Sequence, residues 1–167
     1  MKPIKMTFAI FAFLIGFASH AQDKKPLSTS ETANGKIGNA TVAISYGSPS
    51  VREREIWGAL VPYGKVWRAG ANAATTFSTD KALKIEGKEL PAGKYSVFVI
   101  PEKDNATVIF NKELEHRGTE KYDEAKDQLR VNVKTAAIAK TEKLTYVITP
   151  KGFALNWDKI SIPVNAK

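Results

Sequence analysis

The residue types that could bind a ligand are concentrated between Tyr46 and Asn72. Guanidinium groups bind carboxylates and phosphates through paired hydrogen bonds, and indole and phenol rings offer faces on which sugars or cations stack. Glycines in the same segment leave backbone N–H groups free to point at an anion. The segment therefore predicts a non-enzymatic binding site for a small anion, a carbohydrate or an envelope partner. The candidate binding residues are Tyr46, Arg52, Arg54, Trp67, Arg68 and Asn72.

The same residues also fit a purely structural role in a scaffold or interaction domain. In that case Trp57 and Trp67 would fill the core, and Asn72 would close a turn. Arg68 would pair with a buried acid such as Asp127 or with carbonyl groups. The two hypotheses differ in whether Arg68 faces an open cleft or a buried partner.

The sequence contains few residues suited to metal binding or to hydrolysis. The chain has no cysteine and two histidines, His20 and His116, so the ligands of a zinc site are missing, and we expect neither a metal nor another cofactor. A third hypothesis, a hydrolase, would depend on His116 lying beside a hydroxyl or a carboxylate in a cleft. Because no G-x-S-x-G motif is present, the sequence favours a protein that is not an enzyme.

The first 21 residues have the layout of a secretory signal peptide. A basic start precedes an apolar stretch from Met6 to about Ala18, and small residues at Ser19 and Ala21 suit cleavage before Gln22. The apolar stretch is shorter than the roughly 20 residues of a membrane span. We therefore expect an exported protein, periplasmic or extracellular, with no transmembrane segment in the mature chain.

The chain is basic, with a formal net charge of +8 that falls to +6 when Lys2 and Lys5 leave with the signal peptide. The lysines are scattered singly and form neither a block of like charges nor a stripe with interleaved aromatic residues. Nucleic acid is therefore not an expected partner. Without cysteines the domain must be stabilised by packing alone.

From Ile37 to Lys167 the sequence predicts one all-β domain. Short apolar runs with period two alternate with turn residues at intervals of about ten, and the runs KYSVFVIP and TVIFN, apolar on both faces, should be central strands. Such a pattern is typical of an antiparallel two-sheet β-sandwich, with a β-barrel as the alternative. Residues 22–36 are polar and predict a flexible N-terminal arm, and residues 119–128 predict a short surface helix capped by Thr119.

Several motifs resemble the DUF2911 family, a bacterial exported domain of unknown function. They are YGSPSVR, IWGALVPYGKVWRAGANAAT, LPAGKYSVFVIP, VIFNK and YDEAKDQLRV, with WRAGAN the most specific. The resemblance implies no activity. The residues that match the family pattern are Tyr46, Pro49, Trp67, Arg68, Gly70, Ala71, Asn72, Thr75, Pro91, Gly93, Tyr95, Asn111, Tyr122, Asp127 and Arg130. The chain departs from the pattern at Glu53, where a glycine is commoner, and at Arg117, where an aromatic residue is commoner.

Overall fold

The structure, a computed structural model, describes residues 27–114 and 118–167 and contains ten strands in that part of the chain. The strands are β1 Thr29–Ile37, β2 Ala40–Ser48, β3 Thr75–Thr79, β4 Leu83–Ile85, β5 Lys88–Leu90, β6 Gly93–Pro101, β7 Asn105–Asn111, β8 Asp127–Lys134, β9 Ala136–Thr149 and β10 Gly152–Asn165. The expected signal peptide, its cleavage site and His116 all lie outside the described residues.

Two antiparallel sheets face each other across one core. Six strands form the larger sheet in the order β1-β2-β3-β6-β7-β8, β9 and β10 form the second sheet, and β4 and β5 form a separate hairpin. Phe77 of β3 and Phe110 of β7 contact Phe153 of β10, with ring centroids 5.4 Å and 6.4 Å apart. Within the described residues no sheet closes on itself, which confirms the predicted all-β sandwich over its alternative.

The period-two pattern selects the buried face of each strand. In β8 the apolar side chains of Leu129, Val131 and Val133 are buried, while Asn132 between them and Lys134 after them are exposed. Alternate residues of a strand point to opposite faces, so this pattern places one face on the core.

Strand β10 carries two apolar runs that differ in phase. Phe153, Leu155 and Trp157 are buried, and after them Ile162 and Val164 are buried instead. The pairing with β9 is bulged or irregular on both sides of Asp158, which has φ 52°, and the phase of the buried residues changes across this stretch. The bulge allows both runs to face the core within one strand.

Strands β6 and β7 are interior strands of the large sheet, each paired on both sides, as predicted from their apolar runs. Their second face is covered by a smaller cluster that contains Ala74, Phe98 and Ile109, with Tyr122 packed against it. Both faces of these strands are therefore buried, which explains the absence of polar alternation in their sequence.

Three short turns join strands that are neighbours in the chain and pair with each other. Between β4 and β5, Glu86 and Gly87 both have positive φ, 47° and 82°, the conformation of a type I′ turn. Two residues, Pro150 and Lys151, connect the paired ends of β9 and β10. The turn around Asp104 joins β6 to β7.

The predicted helix at 119–128 is wrong. Only a 3₁₀ turn is present, at Glu124–Lys126, and its N-cap is Asp123, whose carboxylate accepts a hydrogen bond from the Ala125 backbone N–H at 2.9 Å. From Asp127 the chain pairs with β7 instead. The pairing with a distant strand therefore outweighs the local capping signal.

The predicted flexible arm also needs correction, because from Thr29 onward it forms strand β1. All nine residues of β1 pair with β2 through the backbone, so the strand forms although most of its side chains are polar and exposed. Gly35 lets β1 lie close to the second sheet, since a Cβ atom there would lie 2.7 Å from Cγ2 of Ile148. The sandwich therefore begins before Ile37.

Within residues 27–114 and 118–167 no helix is long and apolar enough to cross a membrane.

Candidate anion-binding cleft

All the candidate residues except Tyr46, which lies in β2, are in the long connection between β2 and β3. Near the end of this connection, Trp67 and Val99 of β6 form two backbone hydrogen bonds of 2.8 Å with each other. Strand β3 pairs with the same edge of β6, beginning at Thr75. Residues 68–74 therefore form a loop that leaves the sheet and returns to it. The Thr75 N–H closes the base of this loop by donating to the Arg68 carbonyl at 3.2 Å.

The backbone of Ala69 sets the direction of this loop. Ala69 is fully buried and has φ 55°, a left-handed conformation that costs a residue with a side chain about 1 kcal/mol or more. Its carbonyl accepts two hydrogen bonds of 2.9 Å, from the hydroxyls of Thr75 and Tyr146. Burial raises the pKa of Tyr146, so this hydroxyl remains a donor.

A close backbone contact fixes the far side of the loop. The Ala71 N–H donates to the Gly47 carbonyl at 3.1 Å, and a Cβ atom at Gly47 would collide with the Ala71 carbonyl. A Cβ atom at Gly70 would lie 2.9 Å from Oγ1 of Thr75. The two glycines are therefore required by space at these positions.

A cleft of about 360 Å³ opens beside this loop, and its size is in the range of small-ligand sites. Three guanidinium groups line it, from Arg52, Arg54 and Arg68, and we call it the three-arginine cleft. Its other walls come from Leu27, Ser28, Pro49, Ser50, Leu60, Val61, Trp67, Gly70, Ala71 and Trp157. Among these described lining residues none is acidic.

Arg68 supplies the most exceptional group in the cleft. Its side chain is half-buried, its Nε atom is fully buried, and the guanidinium makes no hydrogen bond or ion pair with any described residue. Asp127, the partner expected for a structural Arg68, binds Arg130 instead at 2.7 Å. Arg68 therefore faces the cleft and has no buried partner among residues 27–114 and 118–167.

Arg52 and Arg54 are exposed and held by backbone carbonyls. Arg52 donates to the Leu27 carbonyl at 2.9 Å, and Arg54 donates to Val51 and Ser50 at 3.0 Å and 2.6 Å. Both remain charged after these bonds, and each guanidinium retains unused N–H groups. Glu53 between them has φ 58°, a left-handed conformation that glycine adopts most readily.

The three tryptophans of the chain form one cluster under the cleft. Trp67 and Trp157 are stacked with ring centroids 5.9 Å apart and planes inclined by 16°, and Trp57 meets Trp67 edge-on at 5.8 Å. Trp157 is buried, and its Nε1 has no hydrogen-bond partner among the described residues. The cluster therefore brings a second buried, unpaired donor to the residues that line the cleft.

The structure does not bring all predicted site residues together. Asn72 and Tyr46 line a different groove, together with residues of β1 such as Glu31. Asn72 is exposed, has φ 63° and donates to the Ser28 carbonyl at 3.4 Å, while Tyr46 packs against Tyr146 at 4.8 Å. Only Arg52, Arg54, Trp67 and Arg68 of the predicted set share the cleft.

Among the lining residues that sequence reasoning missed are Trp157 and Leu60. Trp157 lies in β10, 90 residues from Trp67 along the chain. No local pattern connects such distant positions. Leu60 is an ordinary apolar residue in sequence, and only its 47 % exposure beside the arginines marks it.

A second set of polar residues forms a closed network at the β7–β8 end of the sheet. Asp127 accepts hydrogen bonds from Asn111 at 2.8 Å, from Tyr122 at 2.6 Å and from Arg130 at 2.7 Å. Burial, and next the hydrogen bond to Asp127, raise the pKa of Tyr122 to about 12. Because every member has a partner, this network is a structural clamp and leaves no group free for a ligand.

No group of three or more histidine, cysteine, aspartate or glutamate residues in the described ranges is arranged to hold a metal ion.

Comparison with known proteins identifies one family. The DUF2911 family, described as a protein of unknown function, matches residues 28–166 and so includes every strand described above and every lining residue of the cleft except Leu27. No curated protein and no solved structure matches the chain significantly. Since the match covers most of the sequence, the chain belongs to the DUF2911 family.

Proposed function

We propose that this protein is an exported, non-enzymatic module that binds a small anion in the three-arginine cleft. One observation carries the proposal: the guanidinium of Arg68 is partly withdrawn from water and has no partner in the described chain. A buried donor left unpaired costs about 1–3 kcal/mol, and more when it is charged. A bound carboxylate, phosphate or sulfate would remove this cost.

The surrounding charges support an anion over a neutral ligand. Arg52 and Arg54 add two positive charges to the same cleft, and no acidic side chain lines it within the described residues. Guanidinium groups match the two oxygens of a carboxylate or phosphate in a paired geometry. The described lining residues offer the hydroxyls of Ser28 and Ser50 but no histidine or carboxylate to activate them, which supports binding without catalysis.

The test is a titration of the protein with inorganic phosphate, sulfate, acetate, glucose and glucose 6-phosphate, followed by calorimetry and by tryptophan fluorescence. All three tryptophans lie in the cluster beside the cleft, so the emission reports on its occupancy. We expect the anions to bind and glucose not to bind. Arg68→Gln should weaken anion binding by about tenfold or more, the value of one charge-assisted hydrogen bond.

Two matched variants separate a binding site from a general charge or folding effect. Lys65→Gln removes one positive charge from an exposed position outside the cleft, and Asn72→Gly alters the neighbouring groove. Both should keep the affinity of the unmodified protein. Unchanged anion affinity in Arg68→Gln would contradict the proposal, and a large loss of melting temperature in that variant would favour the structural role.

A further inference from the structure

We infer that the anion bound in the three-arginine cleft carries an apolar body, so that the ligand class is a small organic anion, an aryl or alkyl phosphate, sulfate or carboxylate. The inference rests on the proposed function and goes further, because it gives the apolar residues of the cleft lining a role in binding the ligand.

The cleft is lined by two chemically different sets of side chains. Arg52, Arg54 and Arg68 form the cationic set, and the apolar set includes Leu60, Val61 and the stacked Trp67–Trp157 pair. An ion without a carbon body would use only the cationic set. A ligand with a charged end and an apolar end would use both.

Two exposed leucines strengthen this assignment. Only four large hydrophobic side chains are exposed in the described residues, and two of them, Leu27 at 78 % and Leu60 at 47 %, line this cleft. Each Å² of apolar surface left in water costs about 25 cal/mol, and clustered exposed apolar side chains commonly mark a binding site. Their position at the cleft matches a ligand that would cover them.

The volume of the cleft points in the same direction. A water molecule occupies about 30 Å³ in the liquid, so an inorganic phosphate ion fills only a small part of about 360 Å³. The rest of the cleft would remain hydrated against indole and aliphatic surface. An attached ring or short alkyl chain would displace this water and gain hydrophobic free energy.

The test compares two matched pairs of probes by calorimetry at about 0.15 M salt: inorganic phosphate with phenyl phosphate, and acetate with phenylacetate. For whichever anionic group binds, phosphate or carboxylate, the probe with the ring should bind about tenfold more tightly than the probe without it, because the ring buries apolar surface against the cleft wall. Leu60→Ser should reduce this advantage to about threefold or less and leave the affinity for the simple anion unchanged. Leu114→Ser alters another exposed leucine, 41 % exposed and outside the cleft, and should preserve the full advantage.

The two levels of the hypothesis fail in different ways. Equal affinity for the simple and the ring-bearing member of each pair, or an equal loss for both in Leu60→Ser, overturns the apolar-body inference while anion binding stands. If none of the four probes binds, or if Arg68→Gln changes none of their affinities, the proposed function fails and the inference fails with it.

Discussion

At the scale of single residues, the carbonyl of Ala69 connects the fold to the cleft. The hydroxyls of Tyr146, from the second sheet, and Thr75, from the first, both donate to it at 2.9 Å. Ala69 directly follows Arg68 and has a left-handed backbone, so these two bonds hold the conformation that turns Arg68 into the cleft. The geometry of the binding group therefore depends on a hydroxyl that comes from β9, 78 positions away.

We expect Tyr146→Phe to lower the free energy of unfolding by about 1–2 kcal/mol, because it removes one buried hydrogen bond while Thr75 still pairs with the carbonyl. The same variant should weaken anion binding, since Arg68 is held less firmly. Urea unfolding and calorimetry measure the two effects. Tyr46→Phe is the control: its hydroxyl accepts only a long 3.4 Å bond and should matter less. An equal loss in both variants would contradict the role given to Ala69.

At the scale of elements, the connection between β7 and β8 depends on long-range polar contacts. The sequence of residues 119–128 in this connection predicts a helix. In the structure, however, the Asp127 carboxylate accepts hydrogen bonds from Asn111, Tyr122 and Arg130. Asn111 is fully buried, so its amide needs this partner. One 3₁₀ turn is all that fits between these fixed points, which is why the local pattern alone predicted the wrong element.

Asp127→Ala should lower the free energy of unfolding by about 2–3 kcal/mol, because it removes the shared acceptor of three hydrogen bonds, from the buried Asn111 amide, the Tyr122 hydroxyl and the Arg130 guanidinium. Glu124→Ala removes the other carboxylate that pairs with Arg130, but that side chain is 71 % exposed. An exposed ion pair contributes at most about 1 kcal/mol, so this control should change little. Chemical denaturation of both variants checks the difference; similar losses would disprove the clamp.

At the scale of the whole molecule, the sequence predicts what is periodic and local. Alternation identified the strands and their buried faces, and the two-sided runs identified β6 and β7 as central, because these properties depend on neighbours along one strand. Strand β1 was not predicted, because it forms through backbone pairing with β2 and its own side chains show no apolar pattern. In the same way the composition of the connection 49–74 indicated the arginines and Trp67, but Trp157 joins them only through the packing of the two sheets.

The packing of the sandwich also predicts how its stability depends on pH. Burial raises the pKa values of Tyr95, Tyr122 and Tyr146 above the usual tyrosine value, and that of Tyr122 reaches about 12. The folded state therefore holds these three protons more tightly than the unfolded state does. Their contribution to stability is fully present below about pH 10, the unfolded value, and is lost as the pH rises through the folded values.

We therefore expect the free energy of unfolding to be nearly constant from about pH 8 to about pH 10 and to fall steeply above that. Tyr122→Phe should flatten the part of the decrease between about pH 10 and about pH 12, because this variant has no phenol to ionise in the network. Urea unfolding at each pH, followed by tryptophan fluorescence, measures both profiles. A wild-type profile without any decrease above pH 10 would show that the buried tyrosines ionise without opening the sandwich, contrary to the packing described above.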